Sequence, residues 1–241
     1  MSDFRQLLYE KYFSSFKSHL STFDDKVIRN QHTMYKLQYL PLLKSYNKSA
    51  SILELGCGPG ILLDFLRDKG FGNTLGIDLS AEQVENASEK KLNVELANVL
   101  DYIKSTEKTF DIIFAIDLIE HFHKDELIPL FEGIYNNLRI GGAFVFHTPN
   151  GLGINANRII YGDLTHSTIF TPNSAMQILK LVGFNEIKFF ETEPYAKDVN
   201  GTLRLLLWKI VKLFFNVIRL IETGGTEKIL TQNFIGYAKK G

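Results

Sequence analysis

The sequence predicts an α/β fold, a doubly wound and mainly parallel seven-stranded sheet, and three observations carry that expectation. Short apolar runs alternate with helix-period patterns, as βαβ units feeding a parallel sheet do. The first strong run, Ile52-Leu53-Glu54-Leu55, breaks into the glycine-rich turn Gly56-Cys57-Gly58-Pro59-Gly60 and then into a helical pattern at Leu62, Leu63, Phe65 and Leu66. The next run, Thr74-Leu75-Gly76-Ile77, closes on an acid, Asp78. A strand, a turn without side chains and a helix N-terminus with free N–H groups describe the ligand edge of such a sheet.

Taken in order, the first 45 residues carry Leu7, Leu8, Tyr12, Phe13, Phe16 and Leu20, then Met34, Leu37 and Leu40, at near-helical spacing. They read as N-terminal helices that form a lid over the ligand edge. Arg29 and His32 on that lid offer a cation and a donor for a ligand carboxylate; the plainer alternative is exposed polar residues on a helix. Strands are expected at 51–56, 73–78, 93–97, 110–117, 143–148, 185–191 and 232–239. Helices are expected at 60–70, 81–91, 124–139 and 172–183. Ser80 is an N-cap with acid in the turn that follows, Thr171-Pro172 opens a helix with proline at its first position, and Gly183 closes it. The chain therefore reads as one domain, 1–241: lid 1–45, core 46–192, helical insertion 193–230 and last strand 231–241.

Of 241 residues, 45% are hydrophobic, enough for a substantial core. Lys and Arg number 27 against 27 Asp and Glu, so no general attraction to nucleic acid is expected. The single cysteine, Cys57, excludes an internal disulfide and a cysteine-based zinc framework, and its place in the turn makes it a small packing residue rather than a nucleophile. Met1-Ser2-Asp3-Phe4-Arg5 lacks the start of a signal peptide, so a cytoplasmic location is expected.

The spacing of the turn selects the ligand. Ile61 stands where the dinucleotide pattern Gly-x-Gly-x-x-Gly needs its last glycine, and no Gly-Lys-Ser/Thr follows as in a P-loop. Asp78 lies where a carboxylate reaches ribose hydroxyls. A nucleoside without pyrophosphate fits.

At this point the chain resembles the class I S-adenosylmethionine-dependent methyltransferases. The resemblance rests on Glu54-Leu55-Gly56-Cys57-Gly58-Pro59-Gly60, on Gly76-Ile77-Asp78-Leu79-Ser80, on the run from Phe110 to Phe122, and on Leu138-Arg139-Ile140-Gly141-Gly142, in the family's order. It implies S-adenosylmethionine as cofactor, held by Glu54, Gly56, Cys57, Gly58, Gly60, Asp78, Leu79, Asn98, Val99, Asp117 and His121. The glycines would pass beneath its methionine part, Asp78 would take the ribose, and Asn98-Val99 would flank adenine. Asp117 to His121 would close the methionine side. Asn98 departs from the family's usual acid, yet its side-chain oxygen still accepts.

Methyl transfer to a hydroxyl needs a base, and histidine suits that task. His121, His123, His147 and His166 lie at or after the fourth strand. The segment Tyr161-Gly162-Asp163-Leu164-Thr165-His166 follows His147-Thr148-Pro149-Asn150-Gly151, whose turn residues send the chain across the pocket mouth. His166 is the expected base and Asp163 its orienter or a substrate contact. Asp117, Glu120 and His121, at i, i+3 and i+4, offer a second reading: on one helical face they would hold a divalent ion, as a similar grouping does in metal-assisted quinone-ring methyltransferases. A strand running through Asp117 would spoil that face, so cofactor contact is preferred.

The stretch Leu203 to Ile221 is strongly apolar, but Arg204, Lys209, Lys212 and Arg219 fall in one sector with Asn216. Such a helix would lie peripherally on an anionic membrane, at its inner face, or pack on the domain or on a twin subunit as a homodimer. With Gly162-Asp163-Leu164-Thr165-His166 and Phe170-Thr171-Pro172 it resembles methyltransferases of bacterial polysaccharide biosynthesis. That implies a sugar hydroxyl or glycan precursor as acceptor. A quinone or phenol is the alternative, and so is a non-catalytic nucleoside-binding protein of the same fold.

Overall fold

A computed structural model describes residues 25–241. The helical pattern from Leu7 to Leu20 lies outside the described residues. Seven strands form one sheet: β1 (Ile52–Leu55), β2 (Thr74–Asp78), β3 (Val94–Leu96), β4 (Phe110–Ile116), β5 (Leu138–Pro149), β6 (Glu186–Glu191) and β7 (Asn233–Lys239). Their order is β3-β2-β1-β4-β5-β7-β6. The first five are parallel, and β7 runs antiparallel to both its neighbours. Strand order reverses between β1 and β4, so the crevice of the doubly wound sheet opens at their carboxyl ends.

The central strands are apolar throughout because both faces of the sheet are covered. Leu53, Leu55, Ile113, Ala115, Phe144 and Phe146 project to one face, where α4 (Val99–Ser105), α5 (Lys124–Asn137) and α7 (Pro172–Val182) pack. Ile52, Ile112, Phe114 and Val145 project to the other, under α1 (Asp25–Gln38) and α2 (Ile61–Asp68). Alternation with period two sends successive residues to opposite faces, and here both are lined. Helix α3 (Ala81–Glu89) completes the second layer through Ala87, which packs with Cys57, Leu63 and Leu92.

The expected fold class is the observed one, and most elements fall within two residues of their expected bounds. Ser80 accepts from Gln83 N, Thr171 caps α7 and Gly183 takes φ +112° at its end. Three differences have local causes. Helix α4 has only seven residues, too few for a helical period to show. Strand β5 starts at Leu138 rather than 143, because its ladder with β4 is interrupted between Phe110 and Ile112 and Gly141 turns through φ +78°. The short α6 (Asn157–Ile160) lies in a segment whose polar residues read as loop.

The insertion forms α8 (Val199–Thr223), opened by Asp198, whose Oδ1 accepts from Gly201 N at 2.7 Å, and closed by Gly224 at φ +72°. Of its basic sector, Arg204 and Lys209 are exposed, while Lys212 and Arg219 face inward. Lys212 Nζ donates to Glu191 Oε2 at 2.6 Å, Asn216 pairs with the backbone of Glu227, and Arg219 faces the Glu227 carboxylate at 3.8 Å. Lys212, Asn216 and Arg219 are thus turned inward and the apolar face outward. No helix among the described residues is long and apolar enough to cross a membrane.

Candidate functional site

The site is built at the carboxyl ends of β1, β2, β4 and β5. After β1 the chain turns through Gly56, Gly58 and Gly60 with φ of +67°, +51° and +74°, the left-handed region that costs other residues about 1–2 kcal/mol. Gly56 N donates to Ile77 O at 2.7 Å, and Gly58 N donates to Asp78 Oδ2 at 2.7 Å, while Ser80 N holds the other carboxylate oxygen at 2.9 Å. The turn is thereby fastened to the end of β2, and Asp78 is aimed at it. A Cβ added to Gly58 would meet nothing within 4 Å, so this backbone borders open space. Cys57 is buried, and burial pushes its thiol up, with Glu54 and Asp78 adding to the shift. It packs against Gly76, where a Cβ would lie 2.7 Å from its sulfur, and is no nucleophile.

Glu54 lies under the turn, 4% exposed, and its Oε2 has no hydrogen-bond partner. Burial first, and the charge of Asp78 second, push its carboxyl well above the usual range. Two tyrosines at the end of α1 that the sequence reading did not single out pack on Phe65 and Phe114. Tyr35 and Tyr39 stack at 5.3 Å, and Tyr39 is fully buried with an unpartnered hydroxyl. Burial holds both phenols high, with Glu54 and Asp117 contributing. Of the lid residues singled out from sequence, His32 packs edge-on to Phe65 at 5.5 Å and lies 3.8 Å from Asp64, on α2, while Arg29 is exposed. His32 shares the helical face of the tyrosines, its ring 6.5 Å from that of Tyr35.

At the end of β4, Asp117 takes φ +50° and its Oδ1 meets His147 Nδ1 at 2.5 Å. The chain then makes a 3-10 turn, Ile119–His121, instead of an α-helix. The i, i+3, i+4 face required for Asp117, Glu120 and His121 to share an ion does not form. Instead Glu120, His121 and His166 bring one ligand atom each within 4.8 Å of one another. His166 arrives because the segment after α6 docks on the turn: Ser167 N and Thr168 N donate to Glu120 O, and Thr168 Oγ1 donates to Phe122 O. The imidazoles of His121 and His166 meet edge to face at 4.9 Å.

The protons in this cluster can be traced. His166 Nδ1 lies 3.2 Å from Ile160 O, and a carbonyl only accepts, so in the neutral imidazole Nδ1 carries the hydrogen and Nε2 the lone pair. Thr165 Oγ1 donates to Asp163 Oδ1 at 2.6 Å and so accepts from His121 Nδ1 at 2.8 Å. Asp163 therefore orients His121 through Thr165. Thr148 Oγ1 donates to Glu120 Oε2 at 3.0 Å, which fixes the buried carboxylate. One carboxylate and two imidazoles with hydrogen-bonded outer nitrogens is also a donor set that a divalent transition ion takes.

Both residues expected to flank adenine open α4. The Asn98 oxygen that the sequence reading offered to adenine caps α4, accepting from Leu100 N at 2.9 Å and Asp101 N at 3.4 Å. Val99 is buried in the main core. Leu79, by contrast, is half-exposed beside Asp78. A cavity of about 330 Å³ lined by Ser51, Asn73, Lys108 and Arg139 lies at the amino ends of the strands, opposite the site.

The sheet order, the glycine turn and the acid closing β2 define a class: the Rossmann-like methyltransferase fold. The chain belongs to the methyltransferase domain family, whose model matches residues 28–188. A ubiquinone biosynthesis O-methyltransferase of Hydrogenovibrio crunogenus is 34% identical over 80 residues, 31% of this chain and 33% of that protein. The chain thus spans about a third of that relative's length. The enzyme of the same name from Rickettsia akari is 26% identical over 187 residues, 69% of each chain. Among solved structures, a SAM-dependent methyltransferase from Archaeoglobus fulgidus superposes with a TM-score of 0.67 at 22% identity, covering 98% of this chain and 99% of that one. Phosphoethanolamine N-methyltransferase 2 of Haemonchus contortus, in complex with S-adenosyl-L-methionine, gives 0.64 at 16% identity over 96% of this chain and 60% of that one.

Proposed function

We propose that the chain is an S-adenosylmethionine-dependent methyltransferase that alkylates a hydroxyl oxygen, with His166 taking the hydroxyl's proton. The cofactor supplies an electrophilic methyl group on a sulfonium. The residues fit it: Glu54 keeps an unpartnered buried oxygen for a cationic amine, Gly58 borders open space, and Asp78 is held as an acceptor for ribose. Direct displacement asks the protein mainly to align nucleophile and methyl carbon, and a base at the acceptor side completes the reaction. The carrying observation is the 3.2 Å contact of His166 Nδ1 with the Ile160 carbonyl, which leaves Nε2 of the neutral ring as the acceptor, in a cluster at the ends of β4 and β5.

For the acceptor, the reading favoured is a phenolic hydroxyl of the quinol type. Its support is the ubiquinone biosynthesis O-methyltransferases among the relatives; a sugar hydroxyl has no such support. The test is incubation with methyl-labelled S-adenosylmethionine and two acceptor sets, demethylated quinol analogues and sugar precursors, followed by mass identification of the product. Label in a phenolic ether supports the reading, label only in sugar replaces the acceptor class, and absence of cofactor binding in calorimetry sinks the activity itself.

A second reading has its own observation, the 4.8 Å grouping of Glu120, His121 and His166. There the three side chains hold a divalent ion that acidifies the acceptor hydroxyl, and His166 is a ligand instead of a base. Turnover lost in chelator and restored by one metal would select it; turnover indifferent to chelator would leave His166 as the base.

A further inference from the structure

We propose that α8 is an interfacial membrane-binding helix whose outer face sits in the acyl boundary of an anionic bilayer. The inference stands apart from the reading of the methyl acceptor and rests on an inversion. A surface helix normally turns its apolar stripe to the core. Here the inward positions are Gly201, Leu205, Trp208, Lys212, Asn216 and Arg219, and the polar ones among them bind Glu191 and Glu227. The opposite stripe is Leu203, Leu207, Ile210, Phe214, Val217 and Ile221, all exposed, Ile210 by 64% and Ile221 by 82%. A run of this length, bare along a helix of 25 residues, exceeds the scattered apolar exposure of ordinary surfaces.

The width of the face chooses the occupant. Leu206 and Leu213 extend it on one side, Val211 and Ile218 on the other, all exposed. At 100° per residue it spans roughly 160° of the circumference. A second copy packed as a two-helix seam covers only the narrow a/d stripe and leaves those shoulders wet. A bilayer boundary wets none of them, because the helix beds about 5–10 Å deep along its whole length. Charge agrees with that medium: no Asp or Glu occurs from Val199 to Ile221, and Arg204 and Lys209, both exposed, flank the apolar face where lipid phosphates would lie.

The helix is also tied to the catalytic end of the sheet. Glu191, which takes Lys212, closes β6 and accepts from Leu230 N at 2.9 Å; Leu230 O accepts from Ile154 N at 2.9 Å, in the segment that leads to His166. Docking through α8 therefore brings that end of the sheet to the lipid surface.

Flotation of the full chain with phosphatidylcholine vesicles, with and without phosphatidylglycerol, tests the proposal, with calorimetry of S-adenosylmethionine as a folding control. The wild type is expected to float, more strongly with the anionic lipid. The double variant Leu207→Glu/Phe214→Glu should stay at the bottom while binding cofactor as before, and Arg204→Glu/Lys209→Glu should lose the preference for anionic lipid. A wild type that stays down with both vesicles overturns the proposal, as does a double variant that floats equally well. So does a dimer in sedimentation that vesicles leave intact and Leu207→Glu/Phe214→Glu dissociates, since the occupant is then a second copy.

Discussion

The two halves of the site are held by different kinds of bond. On the β1–β2 side, backbone meets backbone or one carboxylate: Gly56 N on Ile77 O, Gly58 N and Ser80 N on Asp78. On the β4–β5 side, side chains hold side chains: Thr148 on Glu120, His121 on Thr165, Thr165 on Asp163. A backbone cradle tolerates many side chains around it but few changes in spacing, which suits a cofactor of fixed shape. A side-chain lattice is retuned by single substitutions, which suits an acceptor that differs between relatives.

The contrast can be tested by breaking each half in turn. His166→Ala should lower methyl transfer by on the order of 10²- to 10⁴-fold, the usual contribution of a positioned base, with cofactor affinity in calorimetry unchanged. A parallel fall in affinity would mean that the halves are not separable. Asp78→Ala, on the other side, removes a charged acceptor worth about 1.5–3 kcal/mol per hydrogen bond, so the cofactor Kd should rise by roughly 10- to 100-fold. Unaltered binding would remove Asp78 from the ribose. Thr165→Val cuts the link from Asp163 to His121 and should slow turnover by about fivefold, the equivalent of one neutral hydrogen bond. Thr165→Ser should restore it, and a change in KM without one in kcat would make the link structural.

The backbone half was legible in the sequence because it is local. Glycines 56, 58 and 60 adjoin their strand, and Asp78 closes the next one, so spacing alone placed them at the carboxyl ends of β1 and β2. The side-chain half joins Glu120 to Thr148 and His121 to Thr165, across 28 and 44 positions. His166 and Asp163 were found as residues, but their partners were not, because only the docking of one loop on the 3-10 turn decides who faces whom. Tyr35 and Tyr39 were missed for the same reason: they share the face of His32, but their burial depends on Phe65 and Phe114, far along the chain. In α8 the stripe was right and its direction was left open, since period cannot tell which side meets the protein.

Glu54 sits where the comparison sharpens most, a titratable side chain inside the backbone half. Its folded carboxyl is raised well above the ordinary value of 4.5 by burial and by Asp78. Between those two values the unfolded chain has released a proton that the folded chain keeps, so stability falls as pH rises from about 4.5 through the folded value. Glu54→Gln carries no proton to lose. Its Tm relative to wild type should therefore be level at or below pH 4.5 and climb steadily above it, as thermal melts across pH would show. The same variant should bind the cofactor less well at neutral pH, because Gln cannot ionise against a cationic amine. Greater stability with weaker binding would identify Glu54 as strain kept for the ligand. A wild type that instead gains on the variant as pH rises would mean that the carboxylate is already ionised and paired beneath the turn.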